Sequence, residues 1–290
     1  MSAEKINPEY VRDKVFRILF HEIEPVSIKS LAVLAMPEKI LEAAVLRDII
    51  AEDSRFLSDD MVYWELAPEC YEEAVSSLPD EVIVTDIEST GSLAGHDRII
   101  EIAACRIREG EITDEFHTTV NPGIPISKSI IRLTGLRPSD LEDKPTIEEV
   151  MPKFLKFWGR AVFCAHDADF DLNFICSEVQ RLGLEYQYGV PEICSLRLAQ
   201  RLLPGLPTLG LKGLSKHFGY DFSENHKALE DARAASFFLD RFSKMAVQKN
   251  LPSVRQLVET QRKKLGRSKL NSLAKRRLRK LRQRSHFNAH

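Results

Sequence analysis

Two carboxylates stand one residue apart at the end of an apolar run, where Asp86 and Glu88 follow residues 82–84. Side chains alternate between the two faces of a strand, so both acids are expected to point to the same face. Two acids at the end of a buried strand repel each other and are costly to desolvate, and a divalent cation would remove that cost. A single Asp-x-Glu is also typical of a strand that ends in a polar loop, so further acids must decide between the two interpretations.

Two other acidic positions can meet this pair in a suitable fold. Asp171 follows a second short apolar run, residues 161–165, at a predicted junction between strand and helix. Asp231 lies in the early turns of a predicted helix, residues 226–242, whose other inward residues are small or apolar. A lone acid on such a helix is usually satisfied locally or lies at its edge. Because the chain has two other acidic sites, the hypothesis of a metal site becomes stronger.

The elements around these acids predict an α/β fold. Residues 98–107 and 112–120 alternate as strands, and their short connections make them antiparallel neighbours of the first strand. Helices are predicted at 146–158, 172–182, 194–203, 209–218 and 226–242. Thr146 and Glu149 form a capping box at the start of the first of these helices. Strands that alternate with helices after an antiparallel start imply a mixed sheet with helices on both faces.

Residues 1–78 are predicted to form a small separate domain. The expected elements are helices at Pro8–Phe20, after Ser27 and from Pro37 (Ile40, Leu41, Val45 and Ile49 inside), then extended pieces at 55–58 and 61–66. This order is typical of a winged helix-turn-helix domain, whose third helix binds in the major groove of DNA. The alternative is a protein-contact or spacer module. The third-helix region is acidic and would repel phosphate, which favours the alternative.

The net charge of −2 conceals a strong asymmetry along the 290 residues. From Arg255 onward there are 13 basic residues against one acid, Glu259, which leaves 28 basic and 42 acidic residues before that point. The body therefore carries about −14 and the tail +12. Helical patterns at 252–265 and 268–284 predict a basic helical tail over 246–290. Nucleic-acid binding is our first interpretation of this tail, ahead of an acidic protein and a membrane surface.

The remaining composition is that of an ordinary soluble protein, with 43% hydrophobic and 29% charged residues. The five cysteines are scattered and form no C-x-x-C pair, which argues against a zinc site or a disulfide framework. The N-terminus leads into no apolar signal region, and no stretch is long and apolar enough to span a bilayer. We therefore expect a cytoplasmic protein.

Three ordered motifs resemble those of the DnaQ-like (polymerase III epsilon) family of DEDDh exonucleases. The motifs are Asp86-Ile87-Glu88-Ser89-Thr90-Gly91 with the block from His96 to Ile102, then His166-x-Ala168-x-Phe170-Asp171, and then His226-x-x-x-x-Asp231. The resemblance covers roughly residues 80–243. His226 places it in the DEDDh branch, because the tyrosine branch would have Tyr at 227, where this chain has Lys. One position departs from the family pattern, since Asp167 stands where the family usually has Asn.

The resemblance implies a ribonuclease H-like three-layer α/β/α exonuclease domain over 79–245. It also implies stepwise 3′→5′ release of nucleoside 5′-monophosphates by a two-metal mechanism that uses Mg²⁺ or Mn²⁺. Carboxylates are hard oxygen ligands that suit these ions. The implied roles are metal ligation by Asp86, Glu88, Asp171 and Asp231, general-base catalysis by His226, and binding of the terminal nucleotide by Thr90, Gly91, Leu133, Thr134, His166 and Phe170.

Several alternatives stay open at this point. A non-catalytic nucleic-acid or polymerase-associated adaptor with the same fold is the competing hypothesis, although such a protein would be expected to have lost ligands. Proofreading, repair and RNA processing are not separated by the sequence, and neither are DNA and RNA as substrates. A DNA polymerase or another replication or repair protein is a candidate partner for residues 1–78.

Overall fold

The computed structural model describes residues 7–36, 41–185, 191–222, 227–246 and 254–262. These residues divide into two compact units. One unit contains the described residues up to 77 together with Pro191 and Arg262, and the other contains 78–185 and 192–261. Among the described helices, none has the length and apolar character that a membrane crossing requires.

The first unit combines helices with a small antiparallel sheet of strand order β1-β3-β2. Its described elements are α1 (Pro8–His21), β1 (Val26–Ser27), α2 (Ile28–Leu34), α3 (Ala43–Ile50), β2 (Phe56–Leu57), β3 (Tyr63–Leu66) and α4 (Pro68–Ser76). Asn7 caps α1, because its side chain accepts hydrogen bonds from the backbone N–H groups of Glu9 and Tyr10. The winged-helix assignment of this unit stays a prediction.

The third helix of this unit differs from its prediction. It begins at Ala43, and the predicted start at Pro37 and the inward residue Ile40 lie outside the described residues. Leu46 and Ile50 are its fully buried residues. Val45 was predicted to face inward but is 38% exposed. Two overlapping stripes with a spacing of four residues satisfy the same helical pattern, and only packing in the folded unit selects between them.

The second unit is built on a five-stranded mixed sheet of order β6-β5-β4-β7-β8. Its strands are β4 (Val82–Ser89), β5 (Ile99–Arg108), β6 (Glu111–Thr119), β7 (Val162–Ala165) and β8 (Ile193–Cys194). The first three pair antiparallel, β7 pairs parallel with β4, and β8 pairs parallel with β7. The mixed sheet is therefore confirmed, with β4 at its centre.

Helices cover both faces of this sheet. The described helices of this unit are α5 (Lys128–Thr134), α6 (Pro138–Leu141), α7 (Ile147–Trp158), α8 (Ala168–Leu182), α9 (Ser195–Leu202), α10 (Leu211–Phe218), α11 (Ala228–Ala246) and α12 (Val254–Gln261). The Phe154 ring on α7 makes an edge-to-face contact with Phe116, which pairs with Ala104 on β5. α11 packs on the opposite face, against Ala103 and Cys105. Successive strand residues point to opposite faces, so the three-layer α/β/α arrangement is confirmed.

Local capping signals set the ends of several of these helices. The Glu149 carboxylate accepts a hydrogen bond of 2.8 Å from the Thr146 backbone N–H at the start of α7, as predicted. Gly219 ends α10 with a left-handed φ of 68°. At the edge of the sheet, the Gln261 side chain accepts from the Cys194 N–H (2.7 Å) and donates to the Glu192 carbonyl (2.5 Å). α12 thereby satisfies backbone groups at the outer edge of β8.

Candidate active site

Three carboxylates converge at the end of the central strand. Oxygen atoms of Asp86, Glu88 and Asp231 all lie within 4.8 Å of one another. Asp86 and Glu88 point to the same face of β4, as their spacing predicts, and Asp231 is in the first turn of α11. Glu88 is 9% exposed and Asp231 is 4% exposed. The sheet and the helix therefore bring together acids that are more than 140 residues apart in sequence.

Small residues allow α11 to approach the sheet closely enough for this convergence. Ala103 and Cys105 on β5 pack against Ala228 and Ala232 on α11, and all four are fully buried. Larger side chains at these positions would hold the helix axis further from the strands. Asp231 lies between the two alanines of α11 in sequence, so the close contact carries its carboxylate to β4.

Asp171 approaches the same strand from α8 and is 3% exposed. Its Oδ1 atom accepts a hydrogen bond of 3.1 Å from the Ile87 backbone N–H. The β4–β7 pairing ends at Thr85 and Ala165, so this N–H lies beyond the last strand pair. The carboxylate therefore supplies the partner that a buried backbone donor needs, and it is fixed next to Asp86 and Glu88.

The electrostatics of the cluster favour a positive ion. Burial, and then the charges of Asp231, Glu101 and Asp171, raise the pKa of Glu88 to about 8. Burial, and then the charges of Glu230 and Glu101, raise the pKa of Asp231 to about 7.

The two other acids respond in the same direction. Burial is the main cause that holds the pKa values of Asp86 and Asp171 well above their ordinary range. Among neighbouring charges, Asp171 has the largest effect on the pKa of Asp86. Raised pKa values in four crowded, buried carboxylates fit a divalent cation, which would stabilise their charged forms.

A fifth acid lies beside the cluster and was missed as a site residue by the sequence reasoning. Glu101 on β5 pairs directly opposite Glu88 and is 5% exposed. The strand is buried on both faces through Cys105, so the alternation along β5 did not mark Glu101 as a buried residue. The signal that could have identified Glu101 is a charged residue between Ile100 and Ile102, inside a run that is otherwise apolar.

Two of the residues predicted to bind the terminal nucleotide are tightly constrained in the loop after β4. Thr90 donates its backbone N–H to the Arg98 carbonyl (2.8 Å), and its hydroxyl accepts from the Arg98 N–H (2.9 Å). Gly91 lies so close to the Asp97 carboxylate that any Cβ at this position would collide with it. Glycine at 91 is therefore explained by close packing within the loop.

The structure spreads the other predicted substrate-binding residues over separate elements. Leu133 is 47% exposed on α5, whereas Thr134 is buried and its hydroxyl donates to the Ile130 carbonyl (3.0 Å). The Phe170 ring lies 5.0 Å from the Phe174 ring on α8. His166 follows β7, and its Nδ1 atom lies 2.8 Å from the Ser195 hydroxyl.

Burial lowers the pKa of His166 to about 4, so its imidazole is neutral near neutral pH. The predicted general base, His226, lies outside the described residues, which resume at Lys227. Asp167, which departs from the family pattern, adopts a left-handed φ of 76° at the start of α8. Asn and Asp are the side chains that tolerate this conformation best, so the exchange is compatible with the backbone.

A mixed sheet with helices on both faces, and buried acids gathered at the end of its central strand, define an α/β protein with a site suited to divalent cations. The family model described as exonuclease (RNase T) matches residues 83–236. The chain belongs to this exonuclease family, and its DnaQ-like resemblance is confirmed.

The relatives include PolC-type DNA polymerases, which match over a small part of their length, and a separate polymerase subunit. The chain is 42% identical over 174 residues to a DNA polymerase III of PolC type from Caldanaerobacter subterraneus subsp. tengcongensis, covering 60% of this chain and 12% of the relative. It is 36% identical over 155 residues to the DNA polymerase III epsilon subunit of Aquifex aeolicus, covering 53% of this chain and 76% of that subunit. The chain thus spans only about an eighth of the PolC-type relative.

Solved structures support the fold alone. The crystal structure of E. coli exonuclease I in complex with a dT13 oligonucleotide superposes with a TM-score of 0.51 at 17% identity. The match covers 56% of this chain and 41% of that enzyme. Such a low identity shows a shared architecture and transfers no residue roles.

Proposed function

We propose that the protein is a metal-dependent 3′→5′ exonuclease of the DEDDh type that releases nucleoside 5′-monophosphates from DNA ends. The observation that supports this most directly is the group of three carboxylates on β4 and α11 whose oxygens lie within 4.8 Å of one another. A divalent cation would stabilise these buried carboxylates in their ionised forms.

The proposed metal ligands are Asp86, Glu88, Asp171 and Asp231. Bound Mg²⁺ or Mn²⁺ ions would activate water and stabilise negative charge on the leaving 3′ oxygen. The hydrogen bond from the Ile87 N–H (3.1 Å) orients the Asp171 carboxylate from the protein side. His226 stands five residues before Asp231 and is the proposed base that removes the proton from water, since imidazole titrates near neutral pH.

The proposed nucleotide floor is formed by Thr90 and Gly91, together with Leu133, Thr134, His166 and Phe170. The close approach of Asp97 to Gly91 and the two hydrogen bonds between Thr90 and Arg98 give this floor a fixed backbone. The exposed side chain of Leu133 is available for packing against a base. The low pKa of His166 means that it would contact a phosphate or sugar as a neutral hydrogen-bonding group.

DNA is the substrate that we favour, with a role in replication proofreading or repair in the cytoplasm. Relatives named as DNA polymerase III chains support this choice. We propose that the basic tail, residues 255–290, strengthens binding to the phosphate backbone. Residues 1–78 are the proposed contact for a polymerase or another replication or repair protein.

The decisive experiment compares digestion of single-stranded DNA, duplex DNA and RNA of matched sequence, each labelled at the 5′ end, with Mg²⁺, Mn²⁺ or EDTA. We expect a ladder of products shortened from the 3′ end, which EDTA abolishes. Asp171→Asn and Asp231→Asn should each lower the rate at least about 100-fold, because each removes a proposed ligand. Asp240→Asn is the matched control on α11, where Asp240 pairs with Lys244 at 2.7 Å.

Each outcome of this experiment has a distinct meaning. Parent-like digestion by both ligand variants would contradict the site. Faster digestion of RNA than of DNA would show that RNA is the preferred substrate. Binding of the labelled strands without digestion by the parent protein would support the non-catalytic adaptor instead.

A further inference from the structure

A buried glutamate outside the four proposed ligands joins β5 to the helix that carries Asp231. Glu101 accepts a hydrogen bond through Oε2 from the backbone N–H of Ala228, the first residue of α11, at 3.4 Å. Its other oxygen, Oε1, lies 2.6 Å from Nε2 of His117 on β6. Glu101 is 5% exposed and faces Glu88 across the β4–β5 ladder. One side chain thus connects three elements of the site.

Glu101 contacts the first residue of α11, where the backbone N–H groups of a helix need partners from outside it. The first N–H groups of a helix have no partner within it, and the N-terminus carries a partial positive charge. A buried carboxylate from a neighbouring strand satisfies one of these donors and interacts favourably with that charge. Asp231 follows Ala228 by three residues, within the same turn. The contact therefore fixes the part of α11 from which the proposed ligand projects.

Apolar packing and the hydrogen bond to Glu101 both act on the first turns of α11. The α11 contact with β5 is made by the small side chains of Ala103, Cys105, Ala228 and Ala232. Small apolar side chains allow close approach, and a directional hydrogen bond at the end of the helix adds resistance to sliding along the strand.

Glu101 differs from the ligand candidates in its contacts. Oxygen atoms of three candidates, Asp86, Glu88 and Asp231, lie within 4.8 Å of one another, whereas Glu101 lies outside that group, as does the fourth candidate, Asp171. Both carboxylate oxygens of Glu101 already have protein partners. We propose that Glu101 is a positioning residue which, held by His117, fixes the start of α11 so that Asp231 reaches the carboxylates of β4. This inference rests on the proposed function.

Three substitutions in the full chain separate the reach of this side chain from its charge. Glu101→Gln keeps an oxygen that can accept from the Ala228 N–H, whereas Glu101→Asp keeps the charge and shortens the side chain. Glu101→Ala removes both properties. We expect Mn²⁺ affinity of the metal-stripped protein, measured by titration with electron paramagnetic resonance, to stay within about threefold of the parent for Gln. The Asp and Ala variants should weaken it about 10- to 100-fold.

A second glutamate provides a matched control. Glu115 on β6 also holds α11, through paired hydrogen bonds of 2.6 Å from Arg233, but on the exposed side of the helix. Glu115→Ala should leave Mn²⁺ affinity unchanged. Thermal melting of each variant verifies that it is folded, and the comparison between Gln and Asp stays informative even if Glu101→Ala does not fold.

The outcomes distinguish a positioning role of Glu101 from metal ligation and from no role at the site. If Glu101→Gln loses as much Mn²⁺ affinity as Asp86→Asn does, Glu101 is a ligand and the proposal is overturned. Parent-like affinity in the Asp variant would overturn it as well, and so would an equal loss in Glu115→Ala. If Asp231→Asn binds Mn²⁺ and digests DNA like the parent, the proposed function fails, and this result is distinct from any failure of the Glu101 variants.

Discussion

Replacing Glu88 with glutamine should change how the stability of the metal-free protein depends on pH. The pKa of Glu88 is about 8 in the folded protein against an ordinary value of 4.5. The unfolded chain therefore releases this proton at lower pH than the folded protein does. The free energy of unfolding falls as pH rises between these two values and levels off above the higher one. Glutamine has no proton to release, so its variant should lack this part of the decline.

A second group, whose effect on stability has the opposite sign, sets the pH window in which the effect of Glu88 is measured. The pKa of His166 is lowered from 6.5 to about 4, so His166 adds stability as pH rises between these values and offsets the effect of Glu88 there. From pH 6.5 to pH 8 the effect of Glu88 is no longer opposed by His166. One proton held only by the folded state changes stability by about 1.4 kcal/mol for each pH unit, or about 2 kcal/mol across this window.

The assay is urea denaturation in EDTA at several pH values across the window. The chain has two tryptophans, Trp64 and Trp158, and Trp158 lies in the second unit at the end of α7. A Trp64→Phe background therefore makes fluorescence report the unit that contains the acids. Glu142→Gln is the control, because Glu142 is an exposed glutamate of the same unit.

We expect the parent and the control to lose about 2 kcal/mol more than Glu88→Gln between pH 6.5 and 8. Saturating Mn²⁺ should stabilise the parent at pH 8, because a ligand that binds only the folded state adds to stability. Parallel pH profiles for the parent and Glu88→Gln in EDTA would refute the reasoning, since they would mean that folding does not hold the proton of Glu88.

Three further outcomes test other parts of the structure. Gly91→Ala should lower the free energy of unfolding by about 1–3 kcal/mol in urea titrations, because its Cβ meets the Asp97 carboxylate, and an added Asp97→Ala change should restore part of the loss. Asp167→Asn should fold normally and move the rising limb of the pH–rate profile to lower pH, because burial, and then the charge of Asp167, raise the pKa of Asp171. Truncation of 263–290, which spares α12, should weaken DNA binding and flatten its salt dependence, and an unchanged salt slope would contradict a role of the tail in binding.

Part of this protein was predictable because the determining contacts are local. The period of two along β4 places Asp86 and Glu88 on one face, and the structure has them there. Thr146 and Glu149 act within one turn, so their capping interaction follows from four residues of sequence. The antiparallel pairing of β5 with β6 also followed from their short connection.

Other features were decided by contacts between residues that are far apart in the chain. The hydrogen bond between Ile87 and Asp171 spans 84 residues, and the contact between Glu101 and Ala228 spans 127. A residue pattern carries no distance between such positions until the sheet and α11 have packed. For this reason the sequence alone predicted which side chains could bind a cation, through residue type and strand period. Only the tertiary structure decided which of them lie within 4.8 Å and that Glu101 holds the helix of Asp231 in place.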